Sequence, residues 1–231
     1  MKRLKYIGVF LFPVFVMALI FYGLKNIKIT EISCHSQYGE CSSLVKDRLN
    51  NIEDCDYFSC TKNIDKVLSD AWIVNDYHHQ LKIPLRIEVN LVEKKPIFSI
   101  KSEINNLVIQ VDSEGLVLDV RERSVLPGFF IDGNLPSPGE KVKDNEFFAL
   151  QIIYGTSKIQ EIETARLEKD HLSVDMKDGK RILFPLEGDR DFILGALTLI
   201  LNELKKSNSD TRIGEGQIKI VDLRFKNPVL R

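Results

Sequence analysis

The chain has 231 residues, 44% of them hydrophobic and 28% charged, with a formal net charge of −1. That is the balance of a globular protein of one large or two small domains, and it excludes a disordered or collagen-like chain. With no basic surplus, binding to nucleic acid is excluded as well.

The first element is apolar. Tyr6 to Leu24, YIGVFLFPVFVMALIFYGL, carries no charged side chain. Nineteen helical residues reach about 28 Å, near the roughly 30 Å hydrocarbon core of a bilayer. Lys2, Arg3 and Lys5 precede the run, which keeps residues 1–5 in the cytoplasm and sends the bulk of the chain outside. A secretory signal peptide is the rival reading. Its apolar region is shorter and closes on a small-x-small cleavage site, whereas this run ends Phe21-Tyr22-Gly23-Leu24-Lys25. Residues 6–24 are therefore expected to form an uncleaved transmembrane helix, with Pro13 tolerated as a kink. The other apolar stretch, Phe192 to Leu201, has ten residues and is broken by Gly195 and Thr198, too short to span.

Cys34, Cys41, Cys55 and Cys60 follow within one 27-residue window, and no cysteine occurs later. Outside the cytoplasm an even set invites disulfides, and four cysteines allow three connectivities. Their confinement to one small module points to local pairing, Cys34–Cys41 and Cys55–Cys60, in short loops that would contribute about 2–2.5 kcal/mol each. Zinc is the alternative, since His35, His78 and His79 are near in sequence. However, C-x6-C and C-x4-C lack the tight C-x2-C knuckle of structural zinc sites. These histidines and His171 read more simply as surface residues at turn or strand ends, and no metal or cofactor is expected.

From there the pattern alternates between strand and helix. Lys28–Cys34 reads as a strand, Ser42 or Ser43 caps a helix through Ile52, and a second helix runs from about Asn63 to Ser69. Ala71–Tyr77 and Leu81–Val92 read as strands, the latter alternating Leu85, Ile87, Val89 and Leu91 with polar residues. Beyond Pro96 the texture changes. Strands are expected at Ile97–Ile100, Leu107–Val111 and Leu116–Leu118, with a turn at Asp112-Ser113-Glu114-Gly115. Leu126-Pro127-Gly128 and Asp132–Gly139 read as loop, and Asn145–Tyr154 as a helix ended by Gly155. Strands at Ile162–Glu168, Leu172–Met176 and Arg181–Pro185 lead to a helix from about Asp189 to Lys206. Ile218–Phe225 reads as the last strand. The expected fold class is α+β: residues 25–95 as a small βααββ module, and 96–231 as a larger, mostly antiparallel β domain with flanking helices.

Catalytic signatures are missing. Gly214-x-Gly216 lacks the lysine and helix of a phosphate loop, and neither G-x-S-x-G nor H-E-x-x-H occurs. Acid pairs such as Asp119 with Glu122, or Asp189 with Asp191, read as solvated turns or helix-start charges. No catalytic residue is expected.

Three local motifs in this order resemble those of the FtsQ/DivIB bacterial cell-division proteins. Leu85-x-Ile87-x-Val89 with Val92-Glu93-Lys94-Lys95-Pro96-Ile97 is similar to the segment closing that family's POTRA module. Val111 to Leu118, followed by Leu126-Pro127-Gly128, is similar to the hairpin and loop opening its β domain. Val221-Asp222-Leu223-Arg224-Phe225 is similar to its last strand. The cysteine quartet is not a usual family feature. The resemblance implies a non-enzymatic, single-pass scaffold of the inner membrane at the division septum. It also implies partners of the FtsB/DivIC and FtsL type, and through them the septal peptidoglycan synthases. The contact with FtsB/DivIC would fall on Ile220, Asp222, Leu223, Arg224 and Phe225, with Phe225 as the hydrophobic contact and Arg224 offered to a partner carboxylate. As the last strand, 218–225 is a candidate sheet edge that accepts a partner strand, its length fixed by Pro228. The competing readings are a POTRA-bearing protein of export or envelope assembly, which would carry the alternating pattern of a β-barrel, and a membrane-anchored extracytoplasmic enzyme.

Overall fold

The structure is a computed structural model that describes residues 17, 28–52, 55–209 and 218–231. The chain divides into two compact units, one ending at Lys94 and the other beginning at Lys95.

In the first unit the elements are β1 (Glu31–Ser36), β2 (Gly39–Glu40), α1 (Ser43–Asn50), α2 (Tyr57–Ser69), β3 (Val74–Lys82) and β4 (Arg86–Glu93). They form a four-stranded sheet in the order β2-β1-β4-β3. β1 lies parallel to β4, from Glu31 opposite Arg86 to Ser36 opposite Leu91. A parallel pair needs a long crossover, which the helical segment and β3 supply. The alternation of Ile87, Val89 and Leu91 turns these side chains onto Val45 and Leu49 of α1 and Ile64 and Leu68 of α2, all buried in one cluster. α2 starts six residues before the apolar spacing indicated, because Asp56 caps it: its Oδ1 accepts from the N–H groups of Phe58 (3.1 Å) and Ser59 (3.3 Å). The hairpin between β3 and β4 turns at Ile83-Pro84-Leu85, so His78 and His79 lie inside β3 rather than at a strand end.

The second unit holds β5 (Phe98–Ser102), β6 (Val108–Val111), β7 (Val117–Arg121), β8 (Gly128–Ile131), α3 (Asp144–Ile159), β9 (Ile162–Leu167), β10 (Leu172–Met176), β11 (Arg181–Phe184), α4 (Arg190–Ser209), β12 (Ile220–Asp222) and β13 (Val229–Leu230). One nine-stranded sheet runs β13-β12-β11-β10-β9-β8-β5-β6-β7. Its core packs Phe129, Leu172, Val174, Ile182 and Phe184 of the sheet with Leu150 and Ile153 of α3 and Leu197 and Leu201 of α4. α3 runs through Gly155 instead of stopping there. A Cβ at Gly155 would collide with Leu194 of α4, so this glycine lets the two helices approach rather than ending one of them.

The expected fold class is corrected on two counts. The architecture is mixed α/β built on large sheets: most pairings in the nine-stranded sheet are antiparallel as expected, but β8–β9, β11–β12 and β5–β8 are parallel pairs. Two of these follow from helical connections, α3 between β8 and β9 and α4 between β11 and β12, as parallel neighbours require. β8, which holds the parallel arrangement together, is a four-residue Gly-Phe-Phe-Ile stretch with no alternation to signal it. Further, no helix among the described residues is long and apolar enough to cross a membrane. The expected span at 6–24 lies, Met17 apart, outside the described residues.

Candidate partner-binding site

The cysteines are joined as Cys34–Cys41 and Cys55–Cys60, and no cysteine is free. The first bond ties β1 to the entry of α1. The second closes over Asp56, so the bond and the cap fix the same helix start. With the sulfurs bonded to one another they are not zinc ligands. Among the described residues, no group of three or more His, Cys, Asp or Glu side chains could hold a metal ion. His79 instead lies 3.6 Å from Asp65, and His171 lies 2.8 Å from Asp170.

The expected contact residues 220–225 are close in space but differ in what they can offer. Ile220 is half-buried in β12, while Asp222 and Leu223 are buried. β12 is not a sheet edge: β11 pairs with it on one side, and β13 returns on the other, with Val221 opposite Leu230 and Asp222 opposite Val229. The reason is a turn over 223–228 that folds the chain back, and Pro228 sits in that turn just before β13. A partner strand therefore meets β13, not a bare β12.

Arg224 has a carboxylate of its own. Its Nε donates to Asp222 Oδ1 (3.0 Å) and its Nη2 to Asp222 Oδ2 (2.9 Å), a bidentate pair, while Nη1 reaches Asp170 Oδ2 at 3.5 Å. Asp222 also accepts from the Arg224 N–H (3.2 Å). The Arg224 guanidinium holds the Asp222 carboxyl below the usual carboxylate range, although burial pushes the other way. Asp170 is lowered too, by the His171 ring before Arg224. Within the fold, Arg224 neutralises a buried acid in its own turn.

Phe225 is the most exposed of the five expected contact residues. It is 54% exposed, lies beside the Arg224 guanidinium at 5.7 Å, and lines an open cavity of about 580 Å³. Pro185 and Leu186 after β11, with Asp170 and Glu187, line the same cavity. Those four residues come from turns distant in sequence from Phe225, and no local pattern singles them out. The arrangement can seat an apolar side chain against a ring and two aliphatic neighbours, with a charged rim. No family model and no characterised protein matches this chain in sequence.

Proposed function

We propose that this protein is a non-enzymatic scaffold of the bacterial division machinery, located at the cytoplasmic membrane of the septum with its two units outside the cytoplasm. In this reading it binds FtsB/DivIC-type and FtsL-type division proteins and through them regulates septal peptidoglycan synthesis. The observation that carries the reading is the exposed Phe225 beside a locked Arg224, within the Val221–Phe225 segment that resembles the FtsQ/DivIB last strand. An aromatic held next to an arginine in a partly apolar cavity has the composition of an interface hot spot. Two disulfides in the first unit favour an oxidising compartment.

A fluorescent fusion tests this in dividing cells of the source bacterium. The expected result is a band at midcell that appears with constriction. Uniform envelope fluorescence throughout division, or fluorescence filling the cytoplasm, would reject the reading.

A further inference from the structure

We infer that the β3–β4 hairpin end is a lipid-contacting tip that enters the headgroup region of the membrane. All six residues from 81 to 86 are exposed, and four of them are apolar: Leu81, Ile83, Pro84 and Leu85. Ile83 is 97% exposed, so a bulky aliphatic side chain stands in solvent at the very end of a hairpin, where polar turn residues are the rule. Leu85 holds φ at +72°, a left-handed backbone that a leucine adopts only when its surroundings enforce it. What enforces it is the start of the described unit: the Leu85 carbonyl accepts from the Thr30 N–H (3.0 Å) and the Thr30 hydroxyl (3.2 Å).

That contact fixes where the tip lies along the chain. Thr30 is two residues from Lys28, and only Lys25, Asn26 and Ile27 separate Lys28 from the uncharged run Tyr6–Leu24. The six residue steps from Leu24 to Thr30 span at most about 22 Å. A lipid surface that takes up the uncharged run therefore has the hairpin end within reach. The charge around the tip suits an anionic surface only mildly: Lys82 and Arg86 flank the apolar residues but are paired with Glu88 (3.7 Å) and Glu31 (2.8 Å). Burial of the apolar side chains is then the main attraction, as for interfacial anchors generally. A protein ligand at the tip is the alternative, and the experiment below separates the two.

The inference rests on the membrane location proposed above and not on the division partners. The full chain is reconstituted into vesicles of phosphatidylethanolamine and phosphatidylglycerol and floated on a density gradient. All four native cysteines are in disulfides, so Ile83→Cys provides a unique site for an environment-sensitive nitrobenzoxadiazole dye. Val92→Cys, at an exposed position far along β4 and about 20 Å from the turn, is the control. The expected result is blue-shifted emission at 83, quenched by nitroxide lipids, with aqueous emission at 92. The shift at 83 should disappear when Leu81→Ser and Leu85→Asn are added, Asn being at ease in a left-handed backbone. Aqueous emission at 83 in floated protein overturns the tip, as does a shift that survives those substitutions. Protein that does not float overturns the membrane location, and the tip with it.

Discussion

The two units solve the same problem with different means. Among the described residues, the first buries one cluster of eleven side chains, Cys41 and Cys60 of its two disulfides included. The second buries twenty-two among the described residues and contains no cysteine. A small sheet with two short helices has little interior, and covalent staples offset the deficit by restricting the unfolded chain. The larger unit relies on packing between a nine-stranded sheet and two helices that touch at Gly155. Stability in one half should therefore answer to redox state, and in the other to volume.

The largest expected effect breaks the first half of that contrast. Replacing all four cysteines by serine, or reducing both disulfides, removes about 4–5 kcal/mol in total. Hydrogen exchange should show the loss of protection in β1, α1 and α2, with β9, β10 and β11 unchanged. The complementary test is Gly155→Val, which drives a side chain into Leu194 and should cost about 1–3 kcal/mol. Here exchange should accelerate in α3 and α4 while the first unit keeps its protection. Loss of protection in the same unit for both variants would undo the contrast.

A smaller effect concerns the Asp222–Arg224 pair, the strongest polar contact of the second unit's last turn. Arg224→Ala leaves a buried carboxylate with one backbone N–H and should lower stability by about 2 kcal/mol. The pair also sets an acid limit. The Asp222 carboxyl is lowered in the folded protein, so its contribution is present above its unfolded pKa of about 3.9 and fades as pH falls through the folded value. Thermal unfolding from pH 7 downward should show wild type losing this increment below about pH 4, with a flatter acid limb in Arg224→Ala. Parallel acid limbs would mean that Asp222 gains nothing from its arginine.

Legibility in the sequence follows the range of the interactions. Period-two alternation at Ile87, Val89 and Leu91 and turn chemistry at Asp112–Gly115 are local, and the elements they mark are present. The α2 start is hidden because its cap is one carboxylate, Asp56, and because the buried stripe is continued upstream of Ile64 by Cys60, a cysteine rather than an aliphatic residue. β8 was hidden because four residues are too few for a period. Gly155 misleads because a glycine that ends a helix and one that admits a neighbouring helix look alike until Leu194 is known. At the site, Phe225 and Arg224 could be picked out by resemblance. The partners that decide their roles, Asp222 for Arg224 and Pro185 and Leu186 for Phe225, depend on a chain reversal at 223–228 and on turns brought together only by the sheet. The same reversal explains why a strand expected at an edge is flanked on both sides.

In the proposed reading Phe225, rather than Arg224, carries partner recognition, because Arg224 already pairs with Asp222 within the fold. Calorimetric titration of the extracytoplasmic segment of an FtsB/DivIC-type protein into the full chain in detergent tests it directly. Phe225→Ala should weaken binding by about tenfold or more, equal to about 1.4 kcal/mol, while the melting temperature stays at the wild-type value. Unchanged affinity in Phe225→Ala, or no binding by the wild type, would contradict the account.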